Sequence, residues 1–315
     1  MRFGVFAAGA VGGYFGGRLA EAGEDVAFVA RGENLRALRE RGLRVESVAG
    51  DVTIHLVNAS DDPADIGPVD CVLVAVKTWH LPEAAVAMRP MLEADTVVVP
   101  LLNGVEAPAI LADALGKEHV IGGLCRLFVS LAGPGHVRHT GFDPSVHFGE
   151  LDGSYSGRVE RLLKAFGRAR GVTAAVPDDI LAALWEKLLF VEPTGAVGAV
   201  TRAPIGVFRS VPETRALLES AMREVREVAL ARGVTVAEEA VDRASGFVDA
   251  LMASGTASMQ RDIMEGRPSE LEGQTGSVVR LARESGVPVP AHEMLLASLL
   301  PLERLARGEI EPPGP

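Results

Sequence analysis

The chain has 315 residues, 48% hydrophobic and 23% charged, and its Lys plus Arg (31) against Asp plus Glu (42) gives a formal net charge of −11. That composition excludes a mostly disordered chain, which would lack apolar residues to bury. The charge argues against nucleic acid or anionic membrane as a main partner, and at about 150 residues per domain the length suggests two domains.

Arg2–Phe6 reads as a strand, followed by a glycine-rich turn and a helix from Val11 to Ala22 closed by Gly23. The stretch Phe3–Ala20 is broken by glycines and has no charged leader beyond Arg2, so it does not read as an export signal. Asp25–Val29 is a second strand. Leu43–Glu46 and Val52–Leu56 alternate apolar and polar, and read as a small hairpin inserted between parallel strands. Cys71–Val76 and Thr96–Leu101 are Val-rich runs flanking a helical segment, His80–Met88. Near-continuous apolar strands alternating with helices indicate a parallel sheet covered on both faces. Val120–Leu131 and His136–Phe148 read as antiparallel additions at the far edge of that sheet.

From Pro177-Asp178-Asp179, a helix start signal, the pattern turns helical over Ile180–Val191, Glu213–Arg232, Ala237–Ala253, Ser269–Ser285 and Ala291–Leu305. The expected architecture is an α/β Rossmann-type doubly wound domain over residues 1–176, followed by an all-helical domain over 177–315. The tail Glu311–Pro315 is expected to be disordered. No apolar run approaches the ~20 residues of a membrane span. Cys71 and Cys125 have neither the number for a disulfide framework nor the spacing for a metal site, so no metal is expected. They fit a reducing compartment, and the expected location is the cytoplasm, as a monomer or homodimer.

The turn after the first strand is Ala7-Ala8-Gly9-Ala10-Val11-Gly12-Gly13. The dinucleotide fingerprint has glycines at its first, third and sixth positions, here Ala7, Gly9 and Gly12. The third lets the backbone approach a pyrophosphate, the sixth lets the helix pack on the strand, and the following amides bind the anion. Alanine at the first position is tolerable only if its φ stays negative. The other reading is a tight strand–helix connection without a ligand. The second strand ends in Val29-Ala30-Arg31-Gly32. An acid there would take a ribose 2′-hydroxyl; Arg31 instead suits a 2′-phosphate, or is a solvated loop residue. Lys77 ends its strand at the same rim. Asn103 lies just past another strand and reaches a ligand or caps a turn.

In the helix from Ile180, Lys187 borders a stripe of Leu181, Leu184, Leu188 and Val191, with Glu186 well away from it. At that border a lysine is either partly desolvated and fit for proton donation, or snorkels with a solvated head. Further on, Ser269 with Glu272 fits a capping box, and Glu270 suits a first helical turn. With these stand Val76-Lys77-Thr78-Trp79, Asn103-Gly104-Val105, Trp185-Glu186-Lys187-Leu188-Leu189, Ser258-Met259 with Asp262, and Gly266-Arg267.

In the order and spacing of these segments the chain resembles the ketopantoate reductase family (2-dehydropantoate 2-reductase) along nearly its whole length. The resemblance implies NADPH as cofactor and reduction of a small 2-oxo acid in a cleft between a Rossmann domain and a helical one. It places the catalytic lysine at Lys187, the assisting glutamate at Glu270 and the carboxylate-binding serine at Ser258. Asn103 falls near nicotinamide and substrate. The turn Ala7, Ala8, Gly9, Ala10, Val11 and Gly12 holds the dinucleotide, and Arg31 and Lys77 contact its 2′-phosphate. The implied step is ketopantoate to pantoate, in pantothenate and coenzyme A synthesis. The chain departs from the family at Ala7, and at Val191 and Gly195, where many members carry substrate-binding asparagines. Pro193 is expected to break the helix soon after Lys187. The departures keep two alternatives open, a reductase of another 2-oxo acid or an imine, and a non-catalytic NADP-binding regulatory protein.

Overall fold

The computed structural model describes residues 1–311, so most of the tail expected to be disordered lies outside the described residues. The chain divides into two compact units, Met1–Leu102 with Glu106–Ile180, and Asn103–Val105 with the chain from Leu181 onward.

The first unit contains β1 (Arg2–Phe6), β2 (Asp25–Val29), β3 (Leu43–Ser47), β4 (Val52–Ile54), β5 (Asn58–Ser60), β6 (Cys71–Val74), β7 (Val97–Pro100), β8 (Gly122–Gly133), β9 (His136–Gly149) and β10 (Thr173–Ala175). One sheet is wholly parallel with order β5-β2-β1-β6-β7. Its strand order reverses beside β1, which is where a doubly wound sheet binds ligands. Both faces are covered, as the apolar strands require. Phe3, Val5, Phe28 and Leu73 belong to one core cluster, Phe6, Ala27, Val72 and Val74 to another. The edge strand β5 has no reading in the sequence, because Asn-Ala-Ser over three residues carries no hydrophobic pattern.

The two hairpins correct the sequence reading. They are not inserted between the parallel strands, and only Val120, ahead of β8, meets that sheet's edge, through a single parallel bridge to Val98 of β7. The pairs β3–β4 and β8–β9, with β10, form a second sheet in which β3 pairs β9 in parallel. The physical reason is the helix Ala10–Glu21, which packs on both sheets. A Cβ at Gly16 would stand 2.5 Å from the Phe28 ring of β2, and one at Gly13 would stand 2.8 Å from Val137 of β9. Alternation along a strand reports that one face is buried, not which sheet it joins.

The second unit is helical, with Ile180–Thr201, Ile205–Phe208, Pro212–Ala231, Ala240–Ala250, Ser258–Met264, Thr275–Ser285 and Pro290–Ala306. Two expectations fail here. Pro193 does not break its helix, which runs 22 residues through it. Residues 192–199 are all buried, so packing outweighs the hydrogen bond a proline removes. Nor does Ser269 cap a helix. Its N–H and hydroxyl are taken by the Glu303 carboxylate, and the next helix starts only at Thr275. Among the described residues no helix is long and apolar enough to cross a membrane. Cys71 and Cys125 are buried and form no disulfide, and burial pushes the Cys71 thiol far above its ordinary pKa.

Candidate functional site

At the end of β1 the N–H groups of Ala7 and Ala8 both donate to the Val29 carbonyl, at 3.2 and 3.1 Å. They shape the turn. Gly9 precedes the helix, and its carbonyl accepts the N–H of Gly13 at 2.8 Å. The amides of Ala10, Val11 and Gly12 therefore come before the first helical bond, the arrangement that binds anions. Beside Gly9 there is open space, with nothing within 4 Å of where a Cβ would stand. At Gly12 a Cβ would lie 2.2 Å from the Ala7 carbonyl oxygen.

Ala7 itself has φ +79°, so the negative φ set as the condition for tolerating an alanine there is not met. The two hydrogen bonds to the Val29 carbonyl and the contact at Gly12 fix the turn in the form a first-position glycine would adopt. An alanine held there carries roughly 1–2 kcal/mol of steric cost. Ala7→Gly is expected to stabilise the protein by up to about 1 kcal/mol, after the greater unfolded-state entropy of glycine, read as a rise in melting temperature. Sequence reasoning missed Asn34. Its side chain donates to the Ala8 carbonyl at 2.7 Å and accepts the Gly135 N–H at 2.8 Å, tying the turn to the β8–β9 hairpin. Its signal was an amide three residues after Arg31.

Arg31 lies two residues past β2, exposed, at the start of the helix Gly32–Arg41, and makes no ion pair among the described residues. Lys77 lies three residues past β6, exposed, with its ammonium 5.8 Å from the Trp79 ring centre. Parallel pairing puts both at the carboxyl edge of the sheet. Asn103 follows β7 but counts with the helical unit. A Cβ at its neighbour Gly104 would stand 3.0 Å from the Gly273 carbonyl, and Val105 packs on the helical core. This brings Asn103 to the segment that carries Glu270.

Lys187 is 6% exposed on the helix Ile180–Thr201, so the solvated, snorkelling reading does not hold. Trp185, Leu188 and Leu189 are buried around it, which is why a single stripe described this helix poorly. Glu186 points elsewhere and pairs with Arg243 at 2.7 Å. Glu270 is buried in the same unit, also at 6%. Lys187, Val191 and Gly195 follow one another at helical turns. A Cβ at Gly195 would meet Met259 at 3.0 Å and Ala257 at 3.7 Å, so this face leads to the residues flanking Ser258. Ser258 is exposed at the start of its short helix.

Two buried carboxylate networks, neither anticipated, lie beside these residues. Glu303 accepts the N–H and hydroxyl of Ser269, and the Arg307 guanidinium at 2.6 Å. Glu192 accepts the Thr275 hydroxyl at 2.6 Å and His292 Nε2 at 2.8 Å, while His292 Nδ1 bonds Glu224 at 2.6 Å. Glu224 also accepts the N–H groups of Ala291 and His292. A ring with a carboxylate on each nitrogen must donate from both, which only the imidazolium does. Burial alone would lower the His292 pKa, but Glu192 and Glu224 overcome it and raise it to about 9. On Glu224 burial acts upward, yet its bonds from His292 and the two amides hold the carboxyl below the usual range.

This gives a pH prediction. The folded pKa lies above the unfolded value near 6.5, so the stabilisation from His292 is complete below about pH 6.5 and lost as pH rises through about 9. The expected loss is of order 3 kcal/mol. Urea unfolding from pH 6 to 10 checks it, with His292→Gln expected to flatten the slope.

Two family models match the chain. Ketopantoate reductase PanE/ApbA covers residues 3–153, and Ketopantoate reductase PanE/ApbA C terminal covers residues 179–303. A 2-dehydropantoate 2-reductase of Halobacterium salinarum is 32% identical, over 98% of this chain and 99% of its own. An uncharacterized oxidoreductase of Bacillus subtilis, YkpB, is 29% identical, over 95% of this chain and 98% of its own. Among solved structures, the crystal structure of 2-dehydropantoate 2-reductase from Geobacter metallireducens matches with a TM-score of 0.89 and 34% identity, covering 96% of this chain and 99% of that one.

Proposed function

The chain belongs to the ketopantoate reductase family of oxidoreductases, and from that premise we propose that it reduces ketopantoate to pantoate with NADPH, in the cytoplasm, as the step that feeds pantothenate and coenzyme A synthesis. The observation that carries the reading is the burial of both Lys187 and Glu270, at 6% exposure each, within one compact unit. A lysine and a glutamate are seldom kept from water without a task or a partner.

In this reading residues 1–176 hold the cofactor and 177–315 supply catalysis. The open flank of Gly9 and the three uncommitted amides suit a pyrophosphate. Arg31 and Lys77 take the 2′-phosphate that distinguishes NADPH from NADH. Bound NADPH supplies the hydride. Lys187, as ammonium, hydrogen-bonds the 2-oxo oxygen, draws charge onto it and protonates the forming alkoxide. Glu270 orients a substrate hydroxyl and Lys187. Ser258 and nearby backbone amides anchor the carboxylate, and Asn103 positions the oxo group beside the nicotinamide.

A second reading, reduction of a different 2-oxo acid or an imine, is favoured by Val191 and Gly195. A pocket without the family's amides there discriminates less well for a hydroxylated substrate. Loss of nicotinamide absorbance over a panel of 2-oxo acids and imines, with NADPH and with NADH, tests both. Ketopantoate with NADPH should give the highest kcat/KM. Preference for another panel member would select the second reading, and cofactor binding without oxidation anywhere would defeat both. Arg31→Ala is expected to weaken NADPH binding at least tenfold and leave NADH binding unchanged, by fluorescence titration.

A further inference from the structure

Lys187 stands on a 22-residue helix, which its own backbone bonds hold in shape. Glu270 does not. It lies in residues 265–274, which form turns and irregular backbone between two helices. Such a segment takes its position from what grips it. At its front Ser269 is held by Glu303, from the helix Pro290–Ala306. At its rear the grip comes from the Lys187 helix itself. Glu192, five residues beyond Lys187 and fully buried, accepts the Thr275 hydroxyl at 2.6 Å. That hydroxyl is not spent on capping, since the helix Thr275–Ser285 has Gln274 at its N-cap and no side-chain cap.

The other Glu192 oxygen takes His292, which Glu224 of the helix Pro212–Ala231 holds from its far side. Glu192 and Glu224 are thus the charged groups bonded to the ring, from two different helices. A buried carboxylate persists only with such partners. A hydroxyl bonded to one forms a short, directional contact. Displacing catalytic groups by about 1 Å can cost ~10²-fold in rate, so a contact of this kind is well suited to setting their relation.

We propose that Glu192, held in place by His292 and Glu224, is a positioning residue that fixes the Glu270 segment against the Lys187 helix through Thr275. The roles of Lys187 and Glu270 rest on the reductase reading; the grip on the segment does not. Its consequence is that Thr275 and Glu192 govern turnover without touching substrate or cofactor.

The test uses the full chain as wild type, Thr275→Val, which keeps the shape but removes the hydroxyl, and Thr275→Ser, which restores it. Three readouts are taken: kcat and KM for the best 2-oxo acid, NADPH affinity by fluorescence, and reactivity of the Lys187 amine by competitive acetylation and peptide mass spectrometry. Thr275→Val should lower kcat at least tenfold while KM and NADPH affinity stay within about twofold, and should change Lys187 reactivity at least threefold. Thr275→Ser should bring both back to within threefold of wild type. Unchanged kcat and Lys187 reactivity in Thr275→Val would overturn the proposal, as would failure of serine to rescue. If the wild type reduces no 2-oxo acid, the reductase reading fails, and the acetylation readout alone still decides the positioning role. Should Thr275→Val not fold, Glu192→Gln takes its place. At least a threefold fall in kcat, or threefold change in Lys187 reactivity, is then expected, and no change in either overturns the proposal.

Discussion

Lys187→Ala is expected to lower kcat by about 10²–10⁴-fold, the range that a positioned acid or base contributes. NADPH affinity should change less than threefold, because the turn and Arg31 that are proposed to hold the cofactor lie in the other unit. The variant should fold. A buried lysine replaced by alanine loses stem packing but also sheds a buried charge, and the surrounding helix is held by Trp185, Leu188 and Leu189. Stopped-flow measurement of nicotinamide oxidation with saturating substrate, beside equilibrium cofactor titration, separates the two effects. Turnover within threefold of wild type would remove Lys187 from the mechanism. Lys187→Arg should not restore activity, since a guanidinium stays protonated and does not give up its proton.

The second large effect is expected at the turn, and two glycines should fail in different ways. Gly12→Ala would place a methyl group 2.2 Å from a backbone oxygen and 2.8 Å from Val5. Backbone cannot swing aside as a side chain does, so the turn must open. A stability loss of about 1–3 kcal/mol and at least a hundredfold loss of NADPH affinity are expected together. Gly9→Ala meets nothing within 4 Å. Its melting temperature should stay within a degree or two of wild type, while NADPH affinity falls at least tenfold, because the methyl would fill the space proposed for the pyrophosphate. Thermal melts and cofactor titrations on the pair distinguish a glycine needed by the fold from one needed by the ligand. Normal NADPH binding by Gly9→Ala would mean that the cofactor does not pass over this residue.

The parallel sheet was legible because its strands are buried on both faces, and runs such as Cys71–Val74 and Val97–Pro100 leave little else to read. In the second unit Pro212–Ala231, Ala240–Ala250 and Pro290–Ala306 were legible from their period to within a few residues at each end, while Ile180–Thr201 runs ten residues past its reading and Thr275–Ser285 starts six residues after its own. What escaped was set by partners distant in sequence. Nothing near Leu43 or His136 says that their strands meet in a second sheet. Nothing near Ser269 says that a carboxylate 34 residues on will claim its hydroxyl. The same holds at the site. The turn, Arg31 and Lys187 belong to local motifs and could be found as such. Asn34, Glu192, Glu224 and His292 carry ordinary side chains in ordinary helical sequence, and only the fold ties the first to the turn and joins the other three in a network. Ala7 is the instructive case in between. Its departure from the fingerprint was visible, but the conformation imposed on it depended on Val29 and Gly12.

The glycine-lined helix Ala10–Glu21 bears on the order in which the molecule assembles. It includes Gly12, Gly13, Gly16 and Gly17, each about 1 kcal/mol worse than alanine in a helix, so it has little tendency to form alone. Phe28 on one side, and Leu43 and Val45 on the other, are near in the chain; Val137, which completes the second side at Gly13, arrives more than a hundred residues later. Contacts of such long sequence separation form slowly. The nascent chain up to β7 therefore has every strand of the parallel sheet, but only the β3–β4 part of the second sheet that covers this helix. The β8–β9 hairpin completes that cover through Val137, and through the Gly135 N–H bonded to Asn34 it steadies the turn, so a fragment ending before the hairpin is expected to hold the amides at the start of the helix less firmly.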